Sequence, residues 1–147
     1  MQTVKSALAQ KSGALIQVRS DDMVHKALLQ MRDNRVRSVL VIDSDALVGI
    51  ITQGDCAIKV LLQGLDAKQT VVGSVMTRNP MTVKPDDALE ACMGVMAAKG
   101  FRHLPVLDAG KVVGVISIGD VVKDIIRDLQ HNVGDLMGYI MTDGPGG

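Results

Sequence analysis

The nonapeptide VVGVISIGD (residues 112–120) is an apolar run that ends in a hydroxyl, a glycine and a carboxylate. A second stretch, LVGIITQGD (residues 47–55), repeats the same order. Valine and isoleucine favour a buried strand. A Ser or Thr followed three residues later by an acidic residue is typical of a helix N-terminus. Both stretches therefore predict a strand that runs directly into a helix.

The similarity between the two stretches extends over most of the chain. When the sequence is shifted by 65 positions, residues 18–61 pair with residues 83–126 without a gap. In each copy, apolar spacing predicts a short strand, a helix, two strands and a second helix. We therefore predict an α+β (mixed α/β) fold in which two pseudo-twofold-related β-α-β-β-α repeats pack through their small sheets.

The repeat suggests a division of the chain into a first repeat (residues 1–65), a second repeat (residues 66–130) and a C-terminal tail (residues 131–147). In the tail, apolar residues predict a short docking segment, and the glycine-rich end predicts a mobile terminus. In the first repeat, Ser20 precedes an acidic pair, which predicts a side-chain cap for the first helix.

The composition is that of a globular protein, with 47% hydrophobic residues and 16 basic against 16 acidic side chains. Balanced charge and the scarcity of aromatic residues predict no nucleic-acid partner. The sequence shows no secretory signal and no apolar run long enough for a membrane span, so we expect a cytoplasmic protein without a membrane partner. Cys56 and Cys92 lie in apolar segments without ligand spacing, which predicts buried thiols and no metal site.

Three short motifs occur in order in the second half: Val75-Met76-Thr77 with Pro80, GFRHLPV (residues 100–106) and GVISIGD (residues 114–120). With looser copies in the first half, they make the chain resemble the tandem CBS domain pair, or Bateman module, and in particular stand-alone bacterial proteins built from one pair. The resemblance implies clefts between the repeats that bind adenosine-containing ligands: AMP, ADP, ATP, NAD or S-adenosylmethionine. It also implies a homodimer.

The hydroxyl–glycine–carboxylate endings have two interpretations that stay open together. They predict capping boxes, but the same helix N-termini also offer N–H groups to a ligand. A carboxylate with two acceptor oxygens matches the diol of a ribose, and the glycine before it allows close approach to the backbone. The candidate residues are Ser117, Gly119 and Asp120 in the second repeat, and Thr52 and Asp55 in the first.

Arg102 and Arg37 occupy equivalent positions before a strand, so the pseudo-twofold would bring them together, where guanidinium groups could bind phosphate oxygens. The alternative is that they are solvated charges at strand ends. Backbone near Thr82 and Val83 is the candidate adenine contact. The remaining candidate ligand-binding residues are Val18, Ser38, His103, Leu104 and Pro105.

We rank the second-repeat site above the first because the first repeat departs further from the family pattern. Ile58 stands where related stand-alone proteins carry an arginine. We expect a non-catalytic sensor that signals to an unidentified downstream protein. The alternative is a ligand-independent homodimeric interaction module. An enzyme is not expected, because we find no nucleophile elbow, HExxH, Walker loop or Rossmann fingerprint, and no catalytic residue is assigned.

Overall fold

The computed structural model describes residues 2–11 and 15–143, with side chains as far as His131. The helices are α1 (Val4–Leu8), α2 (Val24–Asn34), α3 (Gln53–Cys56), α4 (Leu89–Lys99) and α5 (Ile118–Asp143). The strands are β1 (Gln17–Val18), β2 (Ser38–Asp43), β3 (Ala46–Thr52), β4 (Thr77–Arg78), β5 (His103–Asp108) and β6 (Lys111–Ser117). A π-helical segment (Ala57–Leu61) continues α3, and a 3₁₀ turn (Val72–Ser74) precedes β4.

The strands form two small sheets, the first built on the hairpin β2–β3 and the second on the hairpin β5–β6. In the first sheet the order is β1-β2-β3-β4, with β1 parallel to β2 and the other pairs antiparallel. In the second sheet β5 and β6 are antiparallel. Each sheet carries helices, so the predicted α+β fold is confirmed.

The strand registers of the two sheets are equivalent. Ser38 lies opposite Thr52, and His103 lies opposite Ser117, so both hairpins end at the same step. Both also contain a register shift at the same place, after Val41 in one hairpin and after the corresponding valine in the other. The predicted repeat is therefore present in the hydrogen-bond ladder as well as in the sequence.

The short strand predicted ahead of each repeat is also matched. Val18 in β1 pairs with Val41 in parallel, and Val83 makes an isolated parallel bridge to Val106. Val18 and Val83 are both buried. A side chain of this size contributes roughly 1.5–3 kcal/mol when it is fully buried, which accounts for an apolar residue at both positions.

The two hydrophobic cores are interleaved along the chain. Val4 and Ala7 of α1 belong to the core of the second repeat, where the Val4 N–H donates to the Asp87 carbonyl oxygen. Val72 belongs to the core of the first repeat, where its N–H donates to the Asp22 carbonyl oxygen. Each core is therefore completed by residues from the N-terminal part of the other predicted repeat. The division at residue 65 stays a prediction.

The start of α2 differs from the prediction. Met23, not Ser20, is the N-cap residue, and its side chain makes no capping hydrogen bond. Ser20 instead donates its hydroxyl to Asp43 on β2. Asp22 accepts the Arg19 N–H at 2.8 Å, so this acid closes a turn ahead of the helix. The Ser20 cap was wrong because the carboxylate of β2 competes for the hydroxyl.

Helix α5 extends from Ile118 to Asp143, so the predicted boundary at residue 131 lies inside one continuous helix. The docking segment predicted within the tail falls on side chains that are not described, and residues 144–147 lie outside the described residues. Within residues 2–11 and 15–143, no helix combines the length and apolar character needed to cross a membrane.

Candidate ligand-binding cleft

Both strand–helix junctions contain a reciprocal capping box. At the first junction, Thr52 Oγ1 accepts the Asp55 N–H (3.1 Å) and Asp55 Oδ2 accepts the Thr52 N–H (3.0 Å). At the second junction, Ser117 Oγ and Asp120 Oδ2 make the same pair of bonds at 3.1 and 2.9 Å. The capping interpretation is therefore confirmed at both junctions, and both carboxylates are fixed in orientation.

Each capping carboxylate has a lysine partner, but the lysines come from different parts of the chain. Lys59 lies one turn further along its own helical segment, and its Nζ is 3.1 Å from Asp55 Oδ1. Lys11 belongs to the segment after α1, and its Nζ is 2.9 Å from Asp120 Oδ2. Lys11 also donates to the Val115 carbonyl oxygen at 2.8 Å. Both negative charges are thus balanced within the chain.

The two arginines are positioned by equivalent backbone bonds. The Arg37 carbonyl oxygen accepts the Gln53 N–H at 3.0 Å, and the Arg102 carbonyl oxygen accepts the Ile118 N–H at 2.9 Å. Each arginine therefore sits beside the helix start of its own repeat. Both side chains are exposed, so their guanidinium groups are accessible to a ligand.

A cavity of about 390 Å³ lies at the first junction and is lined by both repeats. This volume falls within the range of small-molecule sites. Its polar lining residues are Arg37, Thr52, Gln53, Thr77, Arg102 and His103. Its apolar lining residues are Ile50, Pro80, Met81 and Phe101, and two glycines, Gly54 and Gly100, complete it.

The cavity brings together four of the predicted site residues, Arg37, Thr52, Arg102 and His103. Asp55 follows the lining residue Gly54 but does not itself line the cavity. The other predicted residues also stay outside its lining. Ser117, Gly119 and Asp120 form the second junction, Thr82 is exposed, and Val18, Ser38, Val83, Leu104 and Pro105 are buried.

The described cavity therefore belongs to the first-repeat junction, whereas the sequence ranked the second-repeat junction higher. By the repeat offset, the second-junction counterpart of the lining residue Thr77 is Ser12, which lies outside the described residues. The ranking of the two sites stays a prediction.

His103 lies between the cavity and the second junction. Burial is the main cause that lowers the pKa of His103, and Lys11, Arg102 and Arg37 lower it further, whereas Asp120 acts in the opposite direction. The imidazole is therefore held neutral near pH 7. A neutral imidazole can still donate one hydrogen bond to a ligand in the cavity.

The charge state of Asp120 is set by opposing causes. Burial raises the pKa of Asp120, but the Ser117 N–H and the Lys11 ammonium group outweigh burial, and the net pKa is lowered. The carboxylate is therefore ionised at neutral pH and keeps its acceptor oxygens.

The thiols are as predicted: Cys56 and Cys92 are free and buried. Burial raises the pKa of Cys56 to about 11, with a further contribution from Asp55. Burial likewise raises the pKa of Cys92, followed by Asp87. Neither thiol is in the reactive thiolate form. Among the described residues, no three His, Cys, Asp or Glu side chains cluster as metal ligands.

Sequence reasoning missed two apolar residues of the cavity lining and the lysine partners of both capping carboxylates. Lys59 lies four residues after Asp55, a spacing that signals an ion pair on a helix. Met81 and Phe101 form apolar walls, and their position next to the Pro80 and Arg102 motifs was the available signal. Lys11 had no local signal, because its partner lies 109 positions away.

Comparison with known proteins identifies the class. The profile of the CBS domain family matches residues 12–61 and 72–127, so this chain belongs to the CBS domain family. The two matches support a tandem CBS pair. The chain is 32% identical over 142 residues to the mitochondrial CBS domain-containing protein CBSX3 of Arabidopsis thaliana, covering 93% of this chain and 69% of CBSX3.

Solved structures extend the comparison to three dimensions. A CBS-domain protein from Burkholderia ambifaria is 39% identical, with a TM-score of 0.83 over 86% of this chain and 96% of its own. A CBS domain pair solved with 5′-methylthioadenosine and S-adenosyl-L-methionine is 25% identical, with a TM-score of 0.76 over 86% of this chain and 98% of its own.

Two more distant structures share the fold. A CBS domain protein of Pyrobaculum aerophilum in complex with AMP is 19% identical, with a TM-score of 0.71, and the match covers 81% of this chain and 89% of that one. A hexameric CBS-CP12 protein from bloom-forming cyanobacteria is 20% identical, with a TM-score of 0.76, covering 99% of this chain and 90% of that one.

Proposed function

We propose that this protein is a non-catalytic regulatory module that binds an adenosine-containing ligand in the cleft between its two repeats. The observation that carries the proposal is the convergence of Arg37 and Arg102 on one cavity. These arginines hold equivalent positions in the two repeats, and Thr52 opens a helix at the same cavity. Guanidinium groups and a helix N-terminus are both suited to anionic groups.

Each part of the ligand has a candidate partner. The capping carboxylates, Asp55 and Asp120, are the proposed ribose contacts, since an ionised carboxylate accepts from both hydroxyls of a diol. At Gly54, an added Cβ would meet the Thr52 hydroxyl at 3.6 Å, which is ordinary contact, so the fold itself does not demand glycine. We attribute this glycine to close approach of a ligand, and we keep backbone near Thr82 and Val83 as the adenine contact of the second site.

The proposed mechanism is a population shift. A ligand that binds the closed cleft more tightly than the open cleft favours the closed arrangement of the repeats, and a downstream protein responds to that difference. The solved CBS pairs with AMP, or with methylthioadenosine and S-adenosylmethionine, support an adenosine ligand on this fold. NAD, the downstream protein and the cytoplasmic location stay predictions.

Calorimetric titration with AMP, ADP, ATP, NAD and S-adenosylmethionine tests the proposal. We expect micromolar binding of at least one ligand. Removing the carboxylate that contacts ribose should weaken that binding by about tenfold to a hundredfold, the value of one charge-assisted hydrogen bond. Asp55→Ala and Asp120→Ala therefore report which junction is occupied. Unchanged affinity in both folded variants contradicts the ribose assignment, and absence of binding by all five ligands contradicts the proposal.

A second candidate function is a ligand-independent interaction module, and one observation favours it. Apolar side chains remain exposed on the second helical segment of both repeats: Ile58, Leu61 and Leu62 in the first, and Val122, Ile126 and Leu129 in the second. Exposed apolar faces of this kind mark protein interfaces. We propose that they form the predicted homodimer contact. Sedimentation of the Leu61→Asp, Ile126→Asp double variant tests this, since an unchanged dimer contradicts it.

A further inference from the structure

The cleft is cationic. Arg37 and Arg102 line the cavity, whose volume is about 390 Å³, and His103 lines it beside them. Among the described residues that line the cavity, none is a carboxylate. A ligand that enters the cavity therefore meets two guanidinium groups without an acidic lining residue to balance them.

The nearest acidic groups already have partners. Asp55 Oδ1 lies 3.1 Å from Lys59 Nζ, and Asp55 Oδ2 accepts the Thr52 N–H. Asp120 Oδ2 lies 2.9 Å from Lys11 Nζ. Because both carboxylates are balanced by lysines, they do not cancel the charge of the arginines. An ion pair with its charges a few ångströms apart leaves little net charge, so the guanidinium groups of Arg37 and Arg102 make the cavity positive at neutral pH.

The ligands of the solved CBS pairs differ in charge at the position that would face these arginines. AMP carries close to two negative charges near pH 7 on a phosphate. Methylthioadenosine replaces the phosphate by a neutral thioether. S-adenosylmethionine carries a sulfonium and an ammonium group against one carboxylate, so its net charge is positive. The adenosine part is common to all three.

Building on the proposed function, we infer that this cleft selects phosphorylated adenosine ligands over neutral adenosine thioethers and over cationic sulfonium ligands. The phosphate lies against Arg37 and Arg102, which make charge-assisted hydrogen bonds to its oxygens. The base lies against the apolar wall of Ile50, Met81 and Phe101. A sulfonium placed at the same point faces two like charges, and like charges close together oppose binding.

Calorimetric titration of the full chain with AMP, methylthioadenosine and S-adenosylmethionine at one ionic strength tests the inference. We expect AMP to bind about tenfold to a hundredfold more tightly than methylthioadenosine, the difference made by charged hydrogen bonds. S-adenosylmethionine should bind more weakly still. The preference for AMP should shrink at high salt, because screening weakens exposed charge pairs. Equal or tighter binding of methylthioadenosine or S-adenosylmethionine overturns the inference.

Matched variants locate the selectivity. Arg102→Gln and Arg37→Gln should each lower AMP affinity by about tenfold and leave methylthioadenosine affinity unchanged. Arg32→Gln is the control, because this substitution also removes one arginine charge, but from the exposed surface of α2, where Arg32 pairs with Asp33. Loss of AMP affinity in Arg32→Gln equal to that in Arg102→Gln overturns the assignment to the cleft.

Failure of the inference and failure of the proposed function give different results. If methylthioadenosine binds and AMP binds no more tightly, the cleft recognises adenosine but not phosphate, and only the inference falls. If none of these three ligands binds to the folded protein, and ADP, ATP and NAD do not bind either, adenosine recognition itself is absent, and both fall.

Discussion

The first and second strand–helix junctions have the same local geometry but different surroundings. In both, a hydroxyl and a carboxylate three residues apart form a capping box with bond lengths between 2.9 and 3.1 Å. The first junction leads into a short helix with a π-helical continuation, and the second into a helix of 26 residues. A short motif therefore determines the cap, whereas the following element depends on its packing.

The counterion of each cap shows how the two copies have diverged. Lys59 forms an ion pair with Asp55 from the same helical segment. At the position equivalent to Lys59, the second repeat has Asp124, which is buried and pairs with Arg127. The second cap takes Lys11 from the N-terminal segment instead. The charge requirement of a partly buried cap is thus met in both copies, but the first ion pair spans four positions and the second spans 109. Both lysines also donate to a carbonyl oxygen, Lys59 to that of Val75 and Lys11 to that of Val115.

The largest difference in stability between the two repeats is expected at the glycine three residues before each capping hydroxyl residue. A Cβ on Gly49 would lie 2.6 Å from Met76 Sδ and 2.8 Å from the Thr77 carbonyl oxygen. A Cβ on Gly114 would lie 2.8 Å from Leu8 Cδ2, a flexible side-chain end. Because backbone cannot move aside as a leucine can, Gly49→Ala should cost about 2–3 kcal/mol and Gly114→Ala about 1 kcal/mol.

Urea unfolding of both variants measures these two free energies. Gly94→Ala is the control, because an added Cβ on this α4 residue would meet nothing within 4 Å. It should stabilise the protein by about 0.5–1 kcal/mol through helix propensity. Equal losses in Gly49→Ala and Gly114→Ala would show that the two sheets tolerate overpacking alike and would contradict the comparison.

The caps themselves should be equivalent. Thr52→Ala and Ser117→Ala each remove one acceptor for a helix N–H, and each should cost about 1 kcal/mol in the free energy of unfolding. The similar bond lengths at the two junctions are the reason for expecting similar losses. The comparison fails if one variant is neutral, because that cap would then be replaced by water or by a neighbouring group.

Local patterns explain which parts of the fold could be predicted. Short runs rich in valine and isoleucine predicted two strands in each repeat, and β2, β3, β5 and β6 lie there, because such side chains favour buried strands. The start of α2 could not be predicted from Ser20, since the hydroxyl is taken by Asp43 from another strand. Tertiary contacts of this kind override local propensity.

The part of the cleft that follows from the pseudo-twofold symmetry of the repeats could be predicted from the sequence. Arg37 and Arg102 converge because equivalent residues of a pseudo-twofold pair lie on opposite sides of one axis. The walls formed by Met81 and Phe101 were not predicted, because their position next to the Pro80 and Arg102 motifs does not indicate which side of the chain faces the cavity. The docking of α1 onto the second core, and of Lys11 onto Asp120, required knowledge of long-range packing.

A smaller effect is expected when the counterions are removed. Lys11→Met should cost about 0.5–1 kcal/mol at neutral pH and low salt, the upper part of the range for partly exposed ion pairs. The pKa of Asp120 is lowered in the folded state, so its stabilising contribution is present above the unfolded pKa and is lost as pH falls through the folded pKa. The variant should therefore lose less stability on acidification than the parent protein.

Urea unfolding at neutral pH and at a series of acidic pH values measures this difference. Lys59→Met is the matched control, because it removes the lysine of the other cap and its hydrogen bond to the Val75 carbonyl oxygen but leaves the Lys11–Asp120 pair intact. It should cost about 0.5–1 kcal/mol at neutral pH. Parallel acid profiles for Lys11→Met and the parent protein would contradict the role of Lys11 as the counterion of Asp120.

The smallest effect that we expect is a pH dependence of phosphate binding at His103. Burial and the neighbouring Lys11, Arg102 and Arg37 lower the pKa of His103, with Asp120 acting in the opposite direction. A bound phosphate adds negative charge and favours the protonated imidazole. AMP affinity should therefore rise roughly twofold to threefold as pH falls from 8 to about 6.5, by proton linkage. Methylthioadenosine affinity should stay flat.

Calorimetry in buffers of different ionisation enthalpy measures the proton uptake directly. His103→Gln should abolish both the uptake and the pH dependence while leaving binding at pH 8 unchanged, because the imidazole is already neutral there. If the parent protein binds AMP without proton uptake, the phosphate does not approach His103 and is held by the two arginines alone. In that case Arg37 and Arg102, which hold equivalent positions in the two repeats, would be the only side chains that bind the phosphate. His103, whose equivalent in the first repeat is Ser38, would take no part.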